Sequence, residues 1–343
     1  MALKSGKITI HDIAYELGLN ASTVSRALAD NPVVSKKTRE LVQAKAAEMN
    51  YQPNAMAAAL RRGRSNIIGV IVPAIDRSFF ARVIRGMEDE FDDRGYRVIV
   101  CQSYDSSERE IEMIKTLRRL RVDGILISIA KDGNDNTDFY RQLMQEKLPV
   151  MFFDTMPTDL EAPAVLIDDH QGGYAATKHL IERGHRRIGH LRGPQYLHIY
   201  RDRYAGYRAA LEEAGLPVDE RYVLDISSHF DSDETIFERL LSLPEPPDAV
   251  FSSSDFSAAG CIRAARKRGI RVPEDLAVIG FANEKFSEIV TPTLATVDQE
   301  TMAMGRLSAQ RIIDAVEGRD VTMIHRLSPT VIARGSAPGG GAA

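Results

Sequence analysis

Residues 21–26 carry side chains that could recognise the edge of a DNA base. Ala21, Ser22 and Ser25 are short, and Arg26 supplies a guanidinium group. Short side chains let a helix approach the floor of a major groove, where a guanidinium can donate two hydrogen bonds to guanine. Side-chain types that often contact phosphates also occur in this region: Ser25, Ser35, Thr38 and Tyr51. The pattern favours a DNA-binding segment.

Short helices must position these side chains. Thr9 and Asp12 have the spacing of a capping box, and the apolar residues that follow recur at helical intervals. Gly18 is placed to end this first helix, and Asn20 to cap a second one. A third helix is predicted to begin after Ser35. Two short helices joined by a turn with glycine are typical of a helix-turn-helix, although a hairpin that only packs on the rest of the chain would share the pattern.

The charge of the chain is unevenly distributed. Residues 1–64 contain ten Lys and Arg against five Asp and Glu, a net charge of +5. The other 279 residues contain 34 against 43, a net charge of −9. A basic end on an acidic body is consistent with a polyanion-binding module joined to a domain of another kind.

Composition limits the class of protein further. The chain of 343 residues is 44% hydrophobic and 27% charged, which is ordinary for about two globular domains. Its apolar runs fall short of the roughly 20 residues that cross a bilayer, and its start shows no apolar secretory segment. The two cysteines, Cys101 and Cys261, have no His or Cys neighbours at ligand spacing. We expect a cytoplasmic protein with no membrane segment, disulfide, metal or cofactor.

Beyond residue 66, apolar runs alternate with amphipathic segments. Strands are predicted in two series, the first at 67–72, 97–101, 124–127 and 150–153, the second at 164–167, 188–191, 222–226, 249–252 and 277–279. Helices are predicted near 79–94, 107–120, 137–147, 171–183, 203–214, 232–242, 257–268 and 300–317. This alternation predicts an α/β core of two doubly wound parallel lobes. Because ligands bind beyond the carboxyl ends of such strands, the cleft between the lobes is the candidate site.

Signatures of enzymes are missing from the sequence. There is no phosphate-binding loop, no His-Glu-x-x-His and no Gly-x-Ser-x-Gly. We interpret Asp168 and Asp169 as a lobe crossover and helix cap, since they follow a predicted strand. His179, His185 and His190 are spaced across a helix, a turn and a strand, which favours separate structural roles over a shared metal.

Four motifs near the start of the chain are distinctive. They are Thr-Ile-His-Asp-Ile-Ala at 9–14, Asn-Ala-Ser-Thr-Val-Ser-Arg-Ala-Leu at 20–28, Val-Ser-Lys-Lys-Thr-Arg at 34–39 and Asn-Tyr-Gln-Pro-Asn-Ala-Met-Ala-Ala-Ala-Leu-Arg-Arg-Gly at 50–63. These motifs resemble the headpiece and hinge of the LacI/GalR transcriptional regulators. The resemblance extends over nearly the whole chain, including Arg183-Gly184-His185 and residues 272–281.

The resemblance implies a helix-turn-helix headpiece followed by a periplasmic-binding-protein-like core that binds an effector and dimerises. The implied domains are a headpiece at 1–52, a hinge helix and linker at 53–65, a two-lobed core at 66–335 and a disordered tail at 336–343. Lobe one would comprise 66–163 plus 297–326, and lobe two 164–296 plus 327–335.

The resemblance also implies which residues contact DNA. In the family, a leucine of the hinge helix wedges into the minor groove, and Leu60 matches it here. The six residues 55–60 are too few for a stable isolated helix, so we expect the hinge to order only on DNA. The implied contacts are Thr9, Asn20, Ala21, Ser22, Thr23, Ser25, Arg26, Ser35, Thr38, Tyr51, Asn54, Ala57, Leu60 and Arg61.

Six positions match effector contacts of the family: Phe80, Asp154, Arg203, Phe230, Asp255 and Asn283. An arginine, two carboxylates and two aromatic rings suit a sugar, because carboxylates accept from hydroxyls and rings stack on apolar sugar faces. The sequence departs from the family at Ala282, where many members have Asp. Asn283 or Glu284 could replace that side chain, or the ligand could differ.

The sequence as a whole predicts a homodimeric transcriptional regulator, most simply a repressor. Its partners would be double-stranded DNA with a palindromic operator, a small-molecule effector such as a sugar, and a second copy of the chain. Two alternatives share the core fold. One is a solute-binding receptor that feeds a transporter, and the other is a sugar-modifying α/β enzyme.

Overall fold

The computed structural model of the chain describes residues 8–51, 64–132, 136–226 and 234–339. Two compact units divide the chain, Met1–Ser65 and Asn66–Ala343. The first is helical within residues 8–51, and the second is α/β. None of the helices in these ranges is long and apolar enough to span a bilayer.

The first unit contains three short helices, α1 (Ile10–Leu17), α2 (Ala21–Leu28) and α3 (Lys36–Glu48). Each helix contributes apolar side chains to one small core, which includes Ile13, Ala14, Val24, Ala27, Val42 and Ala46. Gly18 ends α1 with a φ of 63°, the left-handed conformation that favours glycine. The predicted helix-turn-helix is confirmed.

Lobe one of the second unit is a six-stranded parallel sheet with helices on both faces. Its elements are β1 (Ile67–Val72), α4 (Ser78–Asp93), β2 (Arg97–Gln102), α5 (Ser107–Arg119), β3 (Gly124–Ile127), α6 (Thr137–Met144), β4 (Val150–Phe153), β5 (Ala164–Ile167), α11 (Thr301–Val316) and β11 (Ile324–Leu327). The strand order is β11-β5-β4-β3-β1-β2. Side chains of β1, β4 and β5 are almost completely buried, as expected for strands covered on both faces.

Lobe two has a four-stranded parallel sheet in the order β7-β6-β8-β9. Its elements are α7 (Asp169–Ile181), β6 (Ile188–Arg192), α8 (His198–Glu213), β7 (Val223–Asp225), α9 (Glu234–Leu241), β8 (Ala249–Ser252), α10 (Asp255–Lys267), β9 (Ala277–Ile279), β10 (Thr296–Asp298) and β12 (Thr330–Ile332), with short 3-10 turns at Glu220–Tyr222 and Lys285–Glu288. β10 pairs antiparallel with β12, and Gly280 N–H donates to Ala295 O to join this pair to β9.

The predicted lobe boundaries at 164 and 297 are both too early. β5 lies in the sheet of lobe one, where it pairs with β4 and β11, so the chain crosses after Ile167. Val297 is buried in the core of lobe two, and the chain returns to lobe one only at α11. A buried apolar strand has the same sequence pattern in either sheet, and the pairing partner decides which lobe it joins.

The predicted disordered tail also begins too early. Ser336 is fully buried, its hydroxyl donates to Val278 O at 2.6 Å, and it accepts from Ala295 N–H at 2.8 Å. Ala337 is fully buried too, and its carbonyl lies 3.0 Å from His179 Nε2. Small residues are common in disordered segments, but Ser336 and Ala337 are buried against lobe two.

Each lobe contains one very close helix crossing at a pair of glycines. In lobe one, a Cβ on Gly305 of α11 would lie 2.1 Å from Val83 O of α4. In lobe two, a Cβ on Gly173 of α7 would lie 2.2 Å from Arg203 O of α8. Only glycine permits such approaches. The second crossing brings Asp169, at the start of α7, within hydrogen-bond distance of Arg203 of α8.

Candidate functional site

The helix α2 presents a polar face opposite its buried one. Val24 and Ala27 are fully buried, whereas Ser22 and Arg26 are exposed. The other predicted base-reading residues of α2 and its cap are exposed or half-buried: Asn20, Ala21, Thr23 and Ser25. The helix therefore offers the short side chains and the one guanidinium on its accessible side, as predicted.

Of the four predicted phosphate-contacting residues, Ser35, Thr38 and Tyr51 lie near the ends of α3, and Ser25 lies within α2. The predicted DNA contact Thr9 precedes α1. Thr9 is exposed, and both its N–H and its hydroxyl donate to Asp12 Oδ2, at 2.8 and 2.7 Å. Ser35 caps α3 by accepting from Thr38 N–H at 3.2 Å, and the two hydroxyls are 2.8 Å apart. Tyr51 is half-buried against the core of the first unit. Exposed N–H groups and hydroxyls at helix starts suit contacts with phosphate.

Several predicted site residues lie outside the described ranges. They are the hinge residues Asn54, Ala57, Leu60 and Arg61, and the predicted effector contact Phe230. Their roles stay predictions.

In the second unit, four of the six predicted effector residues line one cleft between the lobes. Lobe one contributes Phe80 from α4 and Asp154 from the end of β4, and lobe two contributes Arg203 from α8 and Asp255 from the start of α10. The carboxyl ends of the strands meet at this cleft, as the topology of parallel sheets predicts.

Arg203 is held in place from two directions. Its Nε donates to Asp169 Oδ1 at 2.8 Å and its Nη1 donates to Ser253 O at 2.9 Å. The guanidinium carbon lies 3.7 Å from the centre of the Phe281 ring. Burial raises the pKa of the Asp169 carboxyl to about 6, although Arg203 acts to lower it. Arg203 therefore has a fixed geometry before any ligand arrives.

Asp255 is fully buried, and both of its carboxylate oxygens are already hydrogen-bonded. Oδ1 accepts from the Thr296 hydroxyl at 2.6 Å, and Oδ2 accepts from Glu284 N–H at 2.7 Å. Burial raises the pKa of Asp255 to about 7, against the opposite effect of these hydrogen bonds. A Cβ on Gly280 would lie 2.2 Å from Oδ1, so this glycine makes room for the carboxylate. Asp255 shapes the wall of the cleft.

On the side of lobe one, Asp154 has a cationic neighbour. Lys131 Nζ lies 3.6 Å from Asp154 Oδ2, and the Ser128 hydroxyl donates to the same oxygen at 3.2 Å. The backbone of Asp154 has a φ of 60°, an uncommon conformation for a residue with a Cβ. Lys131 Nζ also lies 6.0 Å from the centre of the Phe80 ring. Asp154 and Lys131 thus place a hydrogen-bond acceptor and a hydrogen-bond donor next to each other in the cleft.

The sixth predicted effector residue, Asn283, is not in the cleft lining that the structure describes, and its contact with an effector stays a prediction. Its amide is used elsewhere, since Oδ1 accepts from Arg334 at 2.8 Å and Nδ2 donates to Asp298. Glu284 lines the cleft instead, where it is 8% exposed. Asn283 and Glu284 were the two candidates to replace the side chain that Ala282 lacks, and Glu284 is the one that lines the cleft.

Sequence reasoning missed several residues of this site, among them Asp169, Lys131 and Tyr200. Asp169 is the partner of Arg203, whereas Asp168 alone caps α7 by accepting from Gln171 N–H at 2.9 Å. Lys131 and Tyr200 line the cleft as well. Lys131 follows the carboxyl end of β3, so the rule that ligands bind at strand ends could have identified it.

The three histidines have separate partners, as predicted. His179 contacts Ala337 O, His185 Nδ1 lies 3.5 Å from Asp248, and His190 Nδ1 lies 3.0 Å from Phe251 O. His190 is fully buried in a stack of aromatic rings, and burial lowers its pKa to about 3. Within the described part of the chain, no group of three or more His, Cys, Asp or Glu side chains could hold a metal ion.

Comparison with known proteins gives the same two-part division. Residues 9–54 match the family model described as bacterial regulatory proteins, lacI family, and residues 177–337 match that of a periplasmic binding protein-like domain. The HTH-type transcriptional regulator DegA of Bacillus subtilis is 34% identical over 87% of this chain and 88% of its own length.

Two solved structures are similar over nearly the whole chain. The complex of the transcriptional regulator CelR with cellobiose has 30% sequence identity and a TM-score of 0.71, covering 96% of this chain and 99% of the other. The Lac repressor dimer bound to operator and the anti-inducer ONPF has 25% identity and a TM-score of 0.87, covering 97% and 100%. These matches set aside the receptor and enzyme alternatives. The chain belongs to the LacI family and is a DNA-binding transcriptional regulator.

Proposed function

We propose that the protein is a repressor that binds a palindromic operator as a homodimer and is controlled by an uncharged sugar. The observation that carries the proposal is the convergence of Phe80, Asp154, Arg203 and Asp255 on one cleft, in a chain that also has an exposed polar α2. The Lac repressor is a dimer on its operator, and CelR binds cellobiose. In this chain the exposed face of α2 binds the operator, and the cleft binds the sugar.

On DNA, α2 enters the major groove and Arg26 hydrogen-bonds a guanine edge. Ser22 and Ser25 allow the close approach, while residues at the starts of α1 and α3 contact phosphates. The hinge residues Asn54, Ala57 and Arg61 contact the operator, and Leu60 wedges into its minor groove. The two subunits read two half-sites, so the operator is symmetric.

The charges of the cleft favour an uncharged ligand. Each of its cations has a carboxylate close by: Arg203 has Asp169, Lys131 has Asp154, and Arg77 has Asp105 at 3.8 Å. A phosphorylated or acidic ligand would meet cations whose charge is already offset and would lie near the carboxylates of Asp154 and Glu284. Hydroxyl groups can instead donate to Asp154 and Glu284, and apolar sugar faces can pack on aromatic side chains such as Tyr200 and Phe256.

The effector acts by changing the relative stability of two arrangements of the lobes. A ligand that binds one arrangement better shifts the population toward it, by no more than its differential affinity. That shift changes how readily the hinge orders on the operator.

Two measurements test this function. Selection of DNA from a random pool should yield a palindrome, and sedimentation should give two chains per site. A thermal-shift screen should show stabilisation by an uncharged sugar such as cellobiose, D-glucose or D-ribose, but not by glucose 6-phosphate. A ligand at 100 times its dissociation constant adds about 2.7 kcal/mol to the free energy of unfolding. Stabilisation by the phosphorylated sugar alone, or a half-site bound by a single chain, would contradict the proposal.

A further inference from the structure

Helix α4 of lobe one reaches across the cleft to the segment that follows β9 in lobe two. Arg82 Nη2 donates to two main-chain oxygens there, Ala282 O at 3.1 Å and Asn283 O at 2.9 Å. The Ser78 hydroxyl donates to the Glu284 carboxylate. Ser78 and Arg82 are four residues apart on one helix and so lie on the same face. One face of α4 therefore contacts three consecutive residues of the other lobe.

The receiving segment has a strained backbone. Ala282 has a φ of 128° and Asn283 a φ of 51°, although neither is glycine. Such conformations persist only where the surroundings hold them. Lobe two supplies these contacts, since Asn283 N–H donates to the Thr296 hydroxyl at 3.1 Å and Arg334 donates to Asn283 Oδ1 at 2.8 Å. The carbonyls that Arg82 binds are thus fixed before the lobes meet.

The Arg82 contact is incomplete. Its Nε is buried and has no hydrogen-bond partner among the described residues. A buried donor without a partner loses its hydration and gains nothing in return. Opening of the cleft would return water to this group, so the unpartnered Nε favours opening and offsets part of the contact made by Nη2.

We propose that Ser78, Arg82 and residues 282–284 form an interlobe clasp that holds the cleft closed without ligand. Glu284 belongs both to the clasp and to the cleft lining, so a ligand hydroxyl and the Ser78 hydroxyl compete for its carboxylate. Glu284 then determines specificity for hydroxylated ligands and links their binding to the lobe contact. This last step rests on the proposed function, whereas the clasp itself does not.

The clasp can be tested with no ligand and with the full chain. Spin labels at Glu108→Cys in lobe one and Glu212→Cys in lobe two, in a Cys101→Ser background, report the distance between the lobes. Arg82→Met should shift the distance distribution to longer values and broaden it. Arg82→Lys should have a smaller effect, because an ammonium group can still donate to a main-chain oxygen of the segment. Arg85→Met removes the same charge from an exposed position of α4 and should change nothing. An unchanged distribution in Arg82→Met would overturn the clasp.

The role of Glu284 predicts opposite effects of two substitutions on binding of the sugar that stabilises the wild type most among cellobiose, D-glucose and D-ribose. Glu284→Gln should weaken binding roughly tenfold, because a charge-assisted hydrogen bond is lost. Ser78→Ala should strengthen binding about threefold, because the competing donor is gone. Equal losses in both variants would refute the competition. If none of these sugars binds the wild type, the proposed function fails, and the label distances still decide whether the clasp exists.

Discussion

The face of α2 and the effector cleft use their polar side chains in opposite ways. Arg26 and Ser22 are exposed on a helix whose other face is buried, so their function depends on one helix and its local packing. Arg203 and Asp255 are almost completely buried, and each is fixed by partners distant in the sequence. The face of α2 binds through side chains that are exposed to solvent. The cleft binds through side chains that are already held in place by hydrogen bonds within the fold. Substitutions should therefore affect binding in the first region and stability in the second.

The largest expected effect is that of Arg203→Ala. The substitution leaves Asp169 buried without its cation, and breaking a buried ion pair by removing one partner costs about 3–5 kcal/mol. Urea unfolding of the second unit should show this loss, and the effector response should disappear. Arg201→Ala, which removes an exposed arginine from the same helix, should cost little. If Arg203→Ala abolishes the effector response but leaves the free energy of unfolding unchanged, Arg203 contributes to binding alone, as is expected for the side chains of α2.

This contrast also explains how far the sequence could predict the molecule. Helices and strands follow from local periodicity, which is why most predicted elements lie within a few residues of the observed ones. The side chains of α2 that face outward follow from the same periodicity. The partner of Arg203 could not be predicted, because Asp169 reaches it only through the close crossing of α7 and α8 at Gly173 and Gly206. Asn283 has a hydrogen-bonding side chain and follows Ala282 directly, so the sequence favoured it as a replacement, but in the structure its side chain accepts a hydrogen bond from Arg334.

The buried carboxyl of Asp255 should make stability depend on pH. Its pKa is raised from 3.8 to about 7, so the folded state favours the protonated form. The resulting contribution to stability is complete below pH 3.8 and is lost as the pH rises from there through about 7, by an amount on the order of 4 kcal/mol. Urea unfolding between pH 4.5 and pH 8 measures it.

Asp255→Asn should reduce that dependence without abolishing it, because burial also raises the pKa values of Asp169 and Glu110. Asp159→Asn, at an exposed carboxyl, should leave it in place. A wild-type core that becomes more stable toward pH 8 would contradict the assignment to Asp255. Because the face of α2 has no buried carboxyl, the free energy of unfolding of the first unit should not follow the same curve.

Arg26→Ala tests the other side of the comparison. We expect a loss of about 1–3 kcal/mol of operator binding per half-site and a relaxed preference at one base position, with no change in unfolding. Lys37→Ala, which removes a charge from an exposed position of the same unit, should weaken operator and random DNA alike and lower the salt dependence. Band-shift titrations at several salt concentrations measure both. Equal losses of Arg26→Ala on operator and random DNA would show that Arg26 contacts only phosphate.

The smallest effect concerns the scaffold that carries this exposed face. Asp12→Ala removes the acceptor for two groups of Thr9 and should lower the free energy of unfolding of the first unit by about 1 kcal/mol. Glu16→Ala, at an exposed position of the same helix, should have almost no effect. If the contacts of α2 are ready in the folded unit, Asp12→Ala should hardly change operator affinity, since most molecules stay folded. A loss of affinity as large as that of Arg26→Ala would mean that α1 and α2 must be ordered by DNA. The headpiece would then resemble the cleft in depending on packing, and the contrast between the two regions would be one of exposure alone.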